Sequence, residues 1–144
     1  MTISVPDNFP RSIDVIGDIL KNYKTIAVVG LSSNSRRPSF SVTQYMQSAG
    51  YRIIPVNPNE TEVLGEKCYA RLEDIPKNQK IDIVDIFRRS EHVPAVVDSA
   101  IAVGARVVWM QQGIAHAAAA AKARDAGLIA IEDACILIEH RLRR

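Results

Sequence analysis

Thr25-Ile26-Ala27-Val28-Val29-Gly30-Leu31-Ser32-Ser33-Asn34-Ser35-Arg36-Arg37-Pro38-Ser39 decides how this chain is read. A continuous apolar run stops at a glycine, gives way to a polar and basic segment, and reaches a Pro-Ser pair suited to opening a helix. A short Val/Ile-rich run bounded by Gly is the pattern of a strand buried on both faces, as in parallel α/β sheets. Gly30 allows a sharp turn at the end of that strand. Arg36 and Arg37 then put positive charge where the first N–H groups of the next helix point outward without partners. This is the layout of a phosphate or nucleotide site.

Length and composition bound what that site can belong to. At 144 residues the chain has the size of one domain with a single sizeable core. Its 47% apolar and 24% charged residues are those of an ordinary globular protein. A net charge of +2 argues against a general nucleic-acid binder, whose basic surplus is larger and clustered. Cys68 and Cys135 have neither metal-ligand spacing nor the density of a disulfide scaffold, so reduced thiols in a cytosol are expected. Residues 1–10 lack a basic segment leading into an apolar one, and no run approaches ~18 apolar residues, so the expectation is a soluble, cytoplasmic protein with no membrane partner.

Outward from the first strand, the chain alternates. Ile13, Ile16, Ile19 and Leu20 give a helical stripe over residues 9–23, ahead of the strand at 25–29. A helix over 39–48 follows, with Pro38 at its start and Gly50 just past its end. The spacing then predicts strands at 51–56, 81–87, 106–110 and 128–131, and helices at 92–103, 115–126 and 134–141. Residues 60–75 read as a longer excursion with a short extended piece at 67–70 and a helical turn at 72–75. Strand and helix in alternation, with right-handed crossovers, predict a Rossmann-like α/β fold: one domain around a doubly wound, five-stranded parallel sheet.

In such folds ligands bind outside the carboxyl ends of the strands. There the sequence offers Gly30, Ser32, Ser33 and Arg37, then Asn57 and Pro58, then Phe87, Arg88 and Arg89, then Gln111 and Gly113. A nicotinamide dinucleotide fingerprint needs G-x-G-x-x-G after the first strand and an acidic residue ending the second; here Ser32 replaces the second glycine and the second strand ends in Asn57. The P-loop pattern G-x-x-x-x-G-K-[ST] is missing as well. Hydroxyls, amides and arginine forks remain, and these suit phosphates.

Val29-Gly30-Leu31-Ser32, Ser35-Arg36-Arg37-Pro38-Ser39, Val56-Asn57-Pro58, Val84-Asp85-Ile86-Phe87-Arg88, Val108-Trp109-Met110-Gln111-Gln112-Gly113-Ile114 and Asp133-Ala134-Cys135 together resemble the small stand-alone CoA-binding protein family. That family is related to the CoA-binding domain of the succinyl-CoA synthetase α-subunit, and the resemblance runs over residues 10–142. It implies coenzyme A, or an acyl-CoA, bound across the strand ends. Backbone donors of Gly30, Ser32 and Ser33 would meet the pyrophosphate, and Arg37 with Pro38 and Ser39 would hold a phosphate. Asn57 and Pro58 would border the adenosine, Phe87 and Arg88 the adenine or the pantetheine arm, and Gln111 and Gly113 the arm or its neighbouring loop.

A complete catalytic constellation is not evident. His92 and His116 lie near the strand ends and His140 lies in a basic tail read as solvent-facing; no zinc spacing or nucleophile motif includes them. Cys135 stands close to a helix start, where a thiolate is stabilised, although a small buried core residue there is the commoner case for a free cysteine. One of Asp82 and Asp85 is expected to be buried. The reading is a binding, carrier or regulatory protein for a CoA-type small molecule. The alternatives are a nucleotide-dependent oxidoreductase and an acyl-CoA synthetase component that needs a protein partner. Monomer and homodimer both fit.

Overall fold

The computed structural model of the chain describes residues 5–6 and 14–144. In chain order the elements are α1 (Val15–Asn22), β1 (Thr25–Val29), α2 (Pro38–Ser48), β2 (Arg52–Val56), β3 (Glu62–Val63), β4 (Glu66–Lys67), a 3-10 turn at Leu72–Asp74, β5 (Ile83–Ile86), a second 3-10 turn at Ser90–His92, α3 (Val93–Ala102), β6 (Val107–Met110), α4 (Ala117–Asp125), β7 (Ile129–Ile131) and α5 (Ile136–Arg141). The five longer strands form one parallel sheet in the order β2-β1-β5-β6-β7. This is the expected Rossmann-like α/β domain. The order reverses between β1 and β5, and a crevice opens at their carboxyl ends.

The strands take these places for reasons visible in their side chains. β5, β6 and β7 are buried at every position and β1 at all but Thr25, as strands with helices on both faces must be. β2 contains Pro55, which lacks an N–H and is confined to sheet edges, and β2 is the edge strand. Alternation along the strands splits the apolar residues between two cores. On one face Ala27, Val84 and Val108 meet Val93 and Val97 of α3 and Ala120 and Ala123 of α4. On the other, Ile26, Val28, Ile83 and Trp109 meet Ile16 and Ile19 of α1, Met46 of α2 and Ile136 of α5. Trp109 is fully buried and its indole N–H donates to the Ala134 carbonyl at 2.9 Å. Truncating such a residue to alanine removes about 3–5 kcal/mol.

The differences from the sequence reading are local. Residues 9–13 of the leading helix lie outside the described residues; the Asp14 carboxylate caps the observed α1 by accepting from the Gly17 N–H at 3.1 Å. Of the extended piece expected at 67–70, Lys67 alone falls in the antiparallel pair β3–β4, whose two-residue turn has positive φ at both Leu64 (55°) and Gly65 (78°). Tyr69 then bridges back to Val56 on the sheet edge. α4 starts at Ala117 rather than 115 because His116 caps it, its Nδ1 accepting from the Ala119 N–H at 3.1 Å.

Candidate site at the carboxyl ends of the strands

The crevice is built around a close approach of two loops. Gly30 has φ +88°, and a Cβ there would lie 2.5 Å from the Phe87 carbonyl oxygen and 3.2 Å from Cδ of Arg88. The Phe87 N–H donates to the Val29 carbonyl at 2.9 Å, and the Gly30 N–H donates to the Val56 carbonyl at 2.8 Å. The loops after β2, β1 and β5 are therefore pinned side by side. The Asn57 side-chain amide donates to the Leu31 carbonyl at 3.0 Å, and its carbonyl oxygen accepts from the Asn59 N–H at 2.9 Å.

Two clefts flank this seam and share Gly30, Asn57, Asn59, Phe87 and Arg88. One, of about 490 Å³, runs toward Pro58, Arg71, Ala95 and Val96. The other, of about 920 Å³, runs past Ser32, Arg37, Pro38 and Ser39 toward Gln111, Gly113 and Cys135. Both volumes fall among those of small-molecule sites, roughly 300–1,000 Å³. Gly30, Ser32, Arg37, Pro38, Ser39, Asn57, Phe87, Arg88, Gln111 and Gly113 thus come together on the larger cleft, while Pro58 lines the smaller and Ser33 lines neither.

The amides of the first loop are arranged otherwise than the sequence led one to expect. The Gly30 N–H is used by the sheet edge, and the Ser32 N–H donates to Oγ of the buried Ser39 at 3.1 Å. The Ser33 N–H donates to Oε2 of Glu60 at 2.7 Å. Glu60 is a cleft residue that the sequence reading missed. Its only signal was an acidic side chain three positions beyond Asn57, too late to resemble the acidic end of a dinucleotide-binding strand. Hydrogen bonds from the Ser33 backbone and hydroxyl hold its carboxyl below the usual carboxylate range.

Charge in the clefts is dominated by arginine. Among the described residues, ion pairs engage Arg71, Arg89, Arg106, Lys122 and Arg143, leaving Arg37 and Arg88 without a carboxylate within 4.0 Å. Both residues line the larger cleft.

The far wall rests on buried polar bonds. The Gln111 side-chain amide donates to Oδ1 of Asp85, and its carbonyl oxygen accepts from the Ile136 N–H at the start of α5 at 3.3 Å. Burial pushes the Asp85 carboxyl up to about 7, against the opposing hydrogen bonds from Gln111 and the Ile86 backbone. Asp85 is thus the buried one of the pair; Asp82 caps the start of β1, accepting from the Lys24 and Thr25 N–H groups, both at 3.2 Å. The Gly113 N–H donates to Oδ1 of Asp133 at 2.7 Å, and the Ala115 N–H to Oγ of Ser90 at 3.1 Å.

None of the histidines lines either cleft. His116 is a helix cap and His92 is an exposed member of a 3-10 turn. His140 is not solvent-facing as expected: its Nδ1 lies 2.8 Å from the Tyr45 hydroxyl, and it packs edge-on against Tyr45 and Tyr51. Burial, reinforced by Lys24 and Arg144, holds its imidazole below the usual range. Among the described residues no cluster of His, Cys, Asp and Glu could hold a metal ion, and no helix is long and apolar enough to cross a membrane.

The chain is similar to known proteins. A family model described as a CoA binding domain matches residues 24–141. The uncharacterized protein YneT of Bacillus subtilis is 43% identical over 129 residues, covering 90% of this chain and 94% of YneT. An ADP-forming acetate–CoA ligase of Archaeoglobus fulgidus is 34% identical over 76 residues, which are 51% of this chain but 11% of the ligase. The crystal structure of Prb, the PH1109 protein redesigned for binding, has a TM-score of 0.87 at 40% identity and covers 94% of each chain. A dinucleotide-forming acetyl-coenzyme A synthetase of Ca. Korarchaeum cryptofilum shares the fold, with a TM-score of 0.66 at 24% identity over 74% of this chain and 25% of that one. The chain belongs to the CoA binding domain family and is homologous to the CoA-binding part of ADP-forming acetate–CoA ligase.

Proposed function

We propose that the protein binds coenzyme A, free or acylated, across the seam between the β1 and β5 loops, as a binding, carrier or regulatory protein. The observation that carries this reading is the pair Arg37 and Arg88, two arginines lining one cleft with no carboxylate partner among the described residues. Guanidinium forks match phosphate oxygens, and a diphosphate supplies acceptors for both arginines. The smaller cleft, with Val29, Val56, Ala95 and Val96 on its walls, suits a flat adenine beside Asn57 and Pro58. The larger cleft leads from the arginines to Gln111, Gly113 and Cys135, and suits a flexible arm ending in a thiol or thioester.

The test is thermal unfolding and calorimetric titration with CoA, acetyl-CoA and NADPH. Preferential binding to the native state raises the melting temperature by an amount that grows with ligand concentration. A rise with CoA or acetyl-CoA and none with NADPH is expected; a response to NADPH alone overturns the reading. The match to part of an acetate–CoA ligase favours one second reading, a synthetase component working with a partner. In that case acyl-CoA formation appears only when the remaining ligase domains are supplied.

A further inference from the structure

Resting on the CoA reading above, we propose that Glu60 is a resident anion of this site, which the ligand's pyrophosphate displaces from the Ser33 amide. Glu60 follows the turn after β2 and lines the same cleft as Arg37 and Arg88. Its Oε2 takes the Ser33 N–H at 2.7 Å, and the Ser33 hydroxyl adds a second bond to it. The carboxylate is thereby ionised and held against the loop between β1 and α2. It forms no pair with either arginine, and among the described residues no other carboxylate does, which leaves both guanidinium groups for an incoming phosphate.

The conflict follows from charge. A diphosphate gripped by Arg37 and Arg88 brings like charge into the cleft that Glu60 lines, and like charges repel more strongly the closer they stand. The same diphosphate can offer the Ser33 N–H an oxygen in place of the carboxylate, so the loop loses no hydrogen bond in the exchange. The segment bearing Glu60 is held by the Glu60 N–H to the Asn57 carbonyl at 3.3 Å and the Asn59 N–H to Oδ1 of Asn57 at 2.9 Å. Glu60 can therefore turn outward by side-chain rotation while Asn57 keeps its place. Its effect is to set affinity downward. It gives the empty loop an acceptor and makes the ligand compete for it.

The measurement is calorimetric titration of the full chain and of Glu60→Gln with CoA and, separately, with inorganic pyrophosphate. The amide spectrum is followed in parallel to watch Ser33. Gln keeps an oxygen for the Ser33 N–H and removes the charge. Glu60→Gln is expected to bind CoA about tenfold tighter, a coupling of ordinary size, and to bind pyrophosphate tighter as well. In the unsubstituted protein the Ser33 amide resonance should move when either ligand is added. If the unsubstituted protein binds CoA and Glu60→Gln binds it equally or more weakly, the inference about Glu60 is wrong. Weaker binding would mark Glu60 as an acceptor for ligand hydroxyls instead. If neither protein binds CoA, the CoA reading itself fails.

Discussion

The carbonyl oxygen of Phe87 occupies space that any side chain on Gly30 would need, 2.5 Å from the point where a Cβ would stand. The two residues end the two neighbouring strands between which the sheet reverses its order, so this contact sets how closely the two cleft-forming loops approach.

Gly30→Ala should therefore act twice. A non-glycine residue at φ +88° carries strain of about 1–3 kcal/mol, and the Phe87 backbone, which cannot swing aside like a side-chain tip, must shift. Urea unfolding should show a stability loss of about 2 kcal/mol or more. CoA affinity should fall beyond what the remaining folded fraction explains.

Arg37→Ala and Arg88→Ala test the grip on phosphate. Hydrogen bonds to charged groups are worth about 1.5–3 kcal/mol, so each change should weaken CoA binding by about ten- to a hundredfold in titration calorimetry. Arg37 is exposed and, among the described residues, outside any ion pair, so its loss should leave the unfolding midpoint unmoved. Arg88 is half-buried against Gly30, and its loss should lower the midpoint slightly.

Asn57→Ala removes a side chain that bonds both the Leu31 carbonyl and the Asn59 N–H. The cost to stability should be about 1–3 kcal/mol, the range for leaving partly buried polar groups unpaired. Asn57→Asp should cost at least as much as the alanine variant. Asp can still accept from Asn59, but it sets a carboxylate oxygen against the Leu31 carbonyl.

Asp85 gives a signed dependence on pH. Its carboxyl titrates near 7 in the folded chain because burial disfavours the charge, and near the ordinary carboxylate value when unfolded. Between about pH 4 and 7 the folded state binds the extra proton, so this group's contribution to stability falls as pH rises and levels off above 7. Asp85→Asn keeps an oxygen for the Gln111 amide and removes the titration. Its stability relative to the unsubstituted protein should rise steadily from pH 4 to pH 7, as read by denaturant titration at each pH. An unchanged difference across that range would mean that Asp85 titrates alike in the folded and unfolded chain, which excludes its raised folded-state titration.

The fold was legible because burial on both faces leaves a plain signature. Ile83–Ile86 and Val107–Met110 are almost wholly apolar, and Gly50, Gly104 and Gly127 punctuate the helices that separate them. The cleft was legible one strand end at a time, since Gly30, Asn57, Phe87 and Gln111 each follow such a run. What escaped were relations between distant positions. Nothing local in Glu60 says that its carboxylate reaches Ser33 across 27 positions, and nothing in Asp85 names Gln111 as its partner. His140 read as part of a basic tail because its neighbours in sequence are charged, whereas its neighbours in space are two tyrosines. β3 and β4 were hidden by their brevity, two residues each.

The paired clefts open onto opposite layers of the molecule. One is walled by Ala95, Val96 and Ser99 of α3, the other by Pro38, Ser39 and Val42 of α2 and by Cys135 at the start of α5. Those helices belong to the two cores that the sheet keeps apart. An occupant long enough to fill both would act as a staple over the sheet's rim. Amide hydrogen exchange should then slow in α2 and α3 together, although the two helices lie on opposite faces.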